Sequence, residues 1–148
     1  MAVHVLAVLA YKEGGPVTSA LLAGSVNTNP VVIRRLLLAL QRARLVETRK
    51  GAGFGSRLGR SAANVNLAEI YRAVEDDEPF AMPRAKPNAA CPVGQCIQSA
   101  LERVFVSAQQ ALERELARTT LADILGTVKA CCARQSRGNA YDSSRGSK

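Results

Sequence analysis

Apolar residues recur along the first half of the chain in short bursts with a helical period, separated by turn-forming residues. Val3, Leu6, Ala7, Val8 and Ala10 fit a short first helix, which "EGG" at 13–15 and Pro16 bring to an end. A second helix is predicted from Thr18 or Ser19, either of which can cap it, with Leu21, Leu22 and Val26 facing inward. "NTN" at 27–29 is a tight turn, and a third helix starts at Pro30. Proline loses nothing at a first helical position, because that N–H has no intrahelical partner. It also holds Asn29 in the extended conformation that an N-cap requires. Ile33, Leu36, Leu37 and Leu40 then share one face, and Val31, Arg34, Arg35, Leu38 and Arg42 the other.

Two short helices joined by a tight turn, the second with a basic outer face, describe a helix-turn-helix. Taken alone, the third helix is equally an amphipathic helix whose arginines are merely solvated. The next segment decides. "LVETRKGAGFGSRLG" at 45–59 has a β-prone start at Leu45–Thr48 and glycines at 51, 53, 55 and 59. That is a hairpin with a glycine-rich tip, flanked by Arg49, Lys50 and Arg57, and hence a wing beside a recognition helix.

Beyond the wing, "LAEIYRAVEDDEPF" is a helix with Ile70, Tyr71 and Val74 inward, and "AMPRAKPNAACP" at 81–92 is a proline-rich linker. A long amphipathic helix is expected from about Gln95 to Arg118, with apolar positions 97, 101, 104, 108 and 111 stepping by fours and threes. A stripe this wide needs a partner surface, and little chain remains to supply one, so a homodimer seam is expected. Ile97, Leu101, Val104, Phe105, Ala108 and Leu112 are its candidate residues. "TTLADIL" at 119–125 starts a last short helix, with Thr120 and Asp123 spaced as a capping box, and residues 135–148 have the composition of a disordered tail. The fold class is therefore mainly α with a small β-wing. A winged helix-turn-helix domain (1–80) is followed by a linker (81–94), a dimerisation helix with a short capping helix (95–134) and the tail.

Charge sharpens this picture. Of 148 residues, 20 are Lys or Arg and 12 Asp or Glu, giving +8 and a pI near 9.9. Residues 34–60 hold eight of the basic groups and one acid, Glu47, whereas residues 61–80 hold five acids and one basic group, Arg72. The excess is concentrated as a nucleic-acid footprint would be. Single strands are not the expected partner, since three Phe, three Tyr and no Trp make a poor stacking platform. No apolar run approaches membrane-spanning length, and "MAVHVLAVLA" lacks the positive n-region and cleavage site of a signal peptide. A cytoplasmic setting with no membrane partner is expected.

Other chemistries fit less well. "GAGFG" lacks the G-K-[ST] ending of a phosphate loop and has no suitably spaced acidic residue for a ribose. No acid, histidine or serine cluster suggests hydrolysis or group transfer, and the lone His4 has no ligand neighbours, so no enzyme is expected. Four cysteines, at 91, 96, 131 and 132, match neither a disulfide framework nor a common zinc spacing. A thiol oxidoreductase would want C-x-x-C on a βαβ scaffold. A winged helix that binds protein instead of DNA, or a thiol-based redox sensor with little DNA specificity, stays open as an alternative. Cys91 and Cys96 would carry such redox chemistry through a reversible disulfide ahead of the long helix.

"NTNPVVIRRLLLALQRARLVETRKGAGFGSRL", "NLAEIYRAVE", "CPVGQCIQSALERVF" and "ELARTTLADIL", in this order and spacing, resemble the Rrf-two (BadM-type) family of bacterial winged helix-turn-helix transcription regulators, up to about residue 130. The resemblance implies a dimer on a roughly palindromic double-stranded operator, usually acting as a repressor, with the long helix exchanged between partners. Three departures are visible. The chain begins several residues later than family members, and the wing's glycine run is interrupted, "GFGSRL" standing where a Gly-Gly-Tyr-like stretch is common. Cluster-bearing members also carry three cysteines around the start of the long helix. Here only Cys91 and Cys96 lie there, with Glu102 near the place of a third ligand, so the cysteine-poor branch without an iron–sulfur cluster or other cofactor is expected.

The expected DNA-contacting residues follow. Arg34 and Arg35 are the candidates for bidentate contact with guanine, and Asn29 and Val31 lie close enough to touch phosphate, an adenine edge or a thymine methyl. Thr18 and Ser19, at a helix N-terminus, and Arg49, Lys50 and Arg57 on the wing would position the backbone.

Overall fold

The first helix, α1 (Ala2–Tyr11), buries Ala2, Val5, Leu6 and Leu9. A computed structural model of the chain describes residues 1–12, 15–49, 54–75, 80, 85, 87–88 and 90–143, the last stretch by backbone alone from 135 onward. Spacings of three, one and three put these four side chains on one stripe. Val3, Ala7, Val8 and Ala10, which with Leu6 mark the helix in the sequence, are half-buried around it.

In α2 (Ser19–Val26) the cap is Thr18, whose Oγ1 accepts from the backbone N–H of Leu21 at 3.3 Å. That start turns Leu22 and Ala23 into the core. Leu21, expected inward, lies on the outer side of the helix and is 42% exposed. The helix ends at Asn27 in the left-handed region (φ 56, ψ 56), and Thr28 N–H closes it on the Ala23 carbonyl at 3.0 Å. Asparagine is among the few residues that tolerate this conformation, so "NTN" makes the tight turn of the motif.

The third helix, α3 (Pro30–Arg42), has the expected start: Asn29 Oδ1 accepts from Val31 N–H at 2.8 Å, and Pro30 follows. Ile33, Leu37 and Leu40 are buried and Leu36 half-buried, whereas Val31, Arg34, Arg35, Leu38 and Arg42 are exposed. Arg44 in the left-handed region (φ 57) ends the helix, with Leu45 N–H donating to the Leu40 carbonyl at 2.9 Å. Gly59 packs there because an added Cβ would come within 2.7 Å of the Arg44 carbonyl oxygen.

Strands β1 (Val46–Arg49) and β2 (Gly55–Leu58) pair antiparallel, with Glu47 opposite Arg57 and Thr48 opposite Ser56. Lys50 and the tip glycines 51 and 53 lie outside the described residues. The wing's root is pinned to the domain, since Val17 and the buried Ser56 exchange two backbone hydrogen bonds of 2.8 and 2.9 Å. Gly55 allows this approach: its φ is 150, and a Cβ would meet Pro16 at 2.8 Å.

A 3-10 turn at Ala62–Asn64 leads into α4 (Leu67–Val74), which buries Ala68 and Ile70 and half-buries Tyr71 and Val74. Asn66 and Glu69 form a reciprocal capping box, with Glu69 N–H to Asn66 Oδ1 at 3.0 Å and Asn66 N–H to Glu69 Oε2 at 3.1 Å. Arg60 adds an ion pair to Glu69 Oε1 at 2.8 Å. The Arg60 hydrogen bond, then the Asn66 backbone bond, hold the Glu69 carboxyl below its ordinary range. A lowered native pKa means stability that is present above the unfolded-state value, near 4.5, and lost as pH falls through the native one. Glu69→Gln is expected to cost about 1 kcal/mol at pH 7. In urea unfolding at stepped pH, that difference should shrink toward pH 3.

Helix α5 (Pro92–Ala117) starts earlier than expected, inside the segment assigned to the linker, with Cys91 at its N-cap and Pro92 in its first turn. Helix α6 (Leu121–Ser143) is not the short element expected: its backbone continues through most of the segment assigned to the tail. No proline interrupts that segment, so its polar composition does not end the helix. Thr120 and Asp123 do form the capping box, with Thr120 N–H to Asp123 Oδ2 at 2.8 Å and Asp123 N–H to Thr120 Oγ1 at 3.2 Å. The turn between the two helices is fastened to the winged domain by Leu67 N–H to the Thr119 carbonyl (3.0 Å) and Leu121 N–H to the Val65 carbonyl (2.8 Å). Leu121 is fully buried in the core of the winged domain.

Candidate nucleic-acid interface

An exposed arginine is available to a ligand only if no carboxylate of its own chain holds it, and this divides the basic block. Arg57 donates to Glu47 Oε2 through Nε (3.0 Å) and Nη2 (2.6 Å), directly across the β1–β2 ladder. Arg60 is held by Glu69. Among the described residues no ion pair holds Arg34, Arg35, Arg42, Arg44 or Arg49. The unneutralised charge therefore lies along α3, the turn after it and the end of β1. Arg57, expected to be a free wing cation, shares its charge with Glu47, and Lys50 lies outside the described residues.

The outer face of α3 is specific in shape as well as charge. Val31 and Leu38 are 47% and 56% exposed, and Arg34 projects between them, one helical turn from each. Arg35 lies about 100° further round the helix. Asn29 Oδ1 is spent on the cap, which leaves its amide donors for a phosphate or base edge. Thr18 also uses its hydroxyl oxygen as a cap acceptor but keeps its O–H to donate. Ser19 stands beside Arg34 in the wall of a hollow of about 330 Å³ between α3 and the wing. Phe54, 58% exposed, closes that hollow from the wing side. Phe54 and Leu38 are not among the DNA-contacting residues expected from the sequence, and the interrupted glycine run is the signal that singles out Phe54.

The long helix is split into two faces. Leu101 and Phe105, expected on a partner-facing seam, are half-buried within the chain, and Phe105 stacks on Phe80 with ring centroids 5.7 Å apart, whereas Ala108, also half-buried, lines the open groove beside Val104. Arg72 of α4 reaches Glu113 at 2.8 Å on the same side. The uncovered face carries Val93, Ile97 and Val104, with small residues Ala100, Ser107 and Ala111 lining a groove beside Val104. Leu112 lies at the border, 36% exposed. Of the residues expected on a seam, Ile97 and Val104 lie on the open side of the helix, and Leu101 and Phe105 pack inward.

All four cysteines are exposed. An intact helix sets Cα atoms five residues apart at about 8–9 Å, so a Cys91–Cys96 disulfide, which needs under about 7 Å, requires the first turn of α5 to unwind. Glu102 is exposed on α5, and among the described residues no three His, Cys, Asp or Glu side chains converge as metal ligands. Cys91 and Cys96 supply only two of the four ligands an iron–sulfur cluster takes, and no further ligand converges on them among the described residues. His4 Nε2 lies 3.3 Å from Ser25 Oγ, linking α1 to α2. No helix of the described residues is long and apolar enough to cross a membrane.

Comparison with known proteins matches this geometry to one lineage. The family model described as "Rrf2: Iron-dependent Transcriptional regulator" matches residues 1–127. The chain is 40% identical over 125 residues to YwnA of Bacillus subtilis (strain 168), named as an HTH-type transcriptional regulator, covering 84% of this chain and 92% of that protein. A crystal structure of a DNA-binding protein is 39% identical with a TM-score of 0.68, covering 84% of this chain and 95% of that one. T. potens IscR shares the fold at 23% identity and a TM-score of 0.63, covering 86% and 82%.

Proposed function

The chain belongs to the Rrf2 family and is a DNA-binding transcriptional regulator, and from that premise we propose that it acts as a homodimeric, sequence-specific repressor on a palindromic double-stranded operator. The carrying observation is the outer face of α3, where Arg34 and Arg35 stand exposed and, among the described residues, without an ion pair, next to an N-capped, proline-started helix end. That is the part of a recognition helix that reaches base edges. Arg34 is assigned to guanine and Arg35, about 100° further round the helix, to a phosphate, Val31 and the Asn29 amide to neighbouring edges or phosphate, and Thr18, Ser19, Arg49 and Lys50 to the backbone. Arg57 contributes less, because Glu47 competes for it. The open face of α5 is assigned to the dimer, with Ile97 and Val104 at its centre. The site of action is the cytoplasm.

The test is binding to duplexes selected from a random pool, against random duplex, over a salt series. A preference of about 10³-fold or more, with affinity falling steeply as salt rises, is the expected result. Weak binding equal for every duplex would retire the sequence-specific part of this reading.

Regulation by a resident cluster is not part of the proposal, since the thiols do not fit one. Protein purified anaerobically is expected to carry no stoichiometric iron or acid-labile sulfide. The Cys91→Ser, Cys96→Ser double variant is expected to keep its DNA affinity within about two-fold of the parent, because exposed side chains away from the contact surface change little. Stoichiometric iron, or loss of affinity in the double variant, would point back to a metal-dependent regulator.

A further inference from the structure

We propose that the hollow between α3 and the wing is a seat for a thymine methyl group, formed by Leu38 and Phe54 beside the base that Arg34 reads. This inference rests on the operator-binding reading above and adds two specificity-determining residues to it. Leu38 and Phe54 are large apolar side chains left 56% and 58% exposed, so the single chain gains little from them. Both line the hollow, and so does Arg34, which makes it continuous with the DNA-facing surface.

Distances place the methyl close to the arginine. Leu38 is four residues beyond Arg34, about 6 Å along the helix axis, which spans roughly two base-pair steps of 3.4 Å. Of the groups that base pairs present in the major groove, the C5-methyl of thymine is the apolar one. Phe54 is held in position from behind, because its neighbours Gly55 and Ser56 are pinned against Pro16 and Val17. The wall opposite Leu38 is therefore firm, and Gln41 and Thr48 line the same hollow with polar groups.

The experiment uses the full chain and the best duplex from the selection, with each thymine replaced singly by deoxyuridine, which removes only the methyl. One thymine in each half-site, within two base pairs of the Arg34-dependent guanine, is expected to weaken binding about three- to five-fold when changed, the worth of one buried methyl. Leu38→Ala should bind the parent duplex that much more weakly and show no further loss with deoxyuridine there; Phe54→Ala should reduce the same penalty. Both positions are exposed, and unchanged melting temperatures would verify that the variants fold. Deoxyuridine silent at every position overturns the inference and leaves the hollow to a small apolar effector, while specific binding itself stands. A methyl penalty that persists in both variants overturns it too, by assigning the methyl to another residue such as Val31. If no duplex is preferred, the operator reading fails and this inference falls with it.

Discussion

Arg34→Ala is expected to weaken binding to the selected operator by roughly 30-fold to 10⁴-fold while leaving binding to random duplex within a few-fold. A bidentate arginine–guanine contact is worth about 1–3 kcal/mol of discrimination, and a two-fold complex loses it twice. Arg34 is the position to test because it projects between Val31 and Leu38 in the exposed wall of the hollow, with no ion pair holding it among the described residues. Arg35, about 100° round the helix, is then set to meet a phosphate. Arg35→Ala should weaken all duplexes alike and lower the salt slope, whereas Arg34→Ala should relax the preference at one base pair per half-site. Electrophoretic or anisotropy titrations on the operator, its single-base variants and random duplex separate the two. A uniform loss for Arg34→Ala, with single-base preferences intact, would show that it contacts only the backbone.

The helix-turn-helix was legible because its signals are local. Asn29, Pro30 and the Ile33-to-Leu40 stripe determine the start and face of α3 without help from distant residues, and the structure has them as expected. Faces chosen by distant packing were less legible. Leu21 was expected inward, yet the Thr18 cap and the packing of Leu22 and Ala23 turn it outward. The stripe of α5 is wide enough for two partners, and periodicity cannot say which half meets its own chain. Phe80 against Phe105 and Arg72 against Glu113 make that choice, across 25 and 41 residues. Likewise the Arg57–Glu47 pair depends on hairpin register, which a glycine-rich tip of uncertain turn type does not reveal.

Val104→Asp is expected to convert the protein to a monomer at micromolar concentration and to reduce operator affinity by about 10² or more, without unfolding the chain. Val104 is 59% exposed in the single chain, so a carboxylate there is solvated and the winged domain is untouched. In the proposed dimer the same side chain is buried beside Ala100, Ser107 and Ala111, and two-fold symmetry brings a second carboxylate into the same interface. Two buried like charges cost about 3–5 kcal/mol, enough to raise a dimer dissociation constant by roughly 10² to 10⁴, and Arg103, which also lines the groove, can offset only part of that. Operator binding follows, because a dimer presents its second recognition helix at high effective concentration and a monomer does not. Val106→Asp is the matched control: also exposed (52%), it lies about 200° round α5 from Val104 and should leave both association and DNA binding unchanged. Sedimentation velocity, circular dichroism and operator titration on the two variants decide the matter. A Val104→Asp protein that remains dimeric would place the dimer interface elsewhere on the molecule.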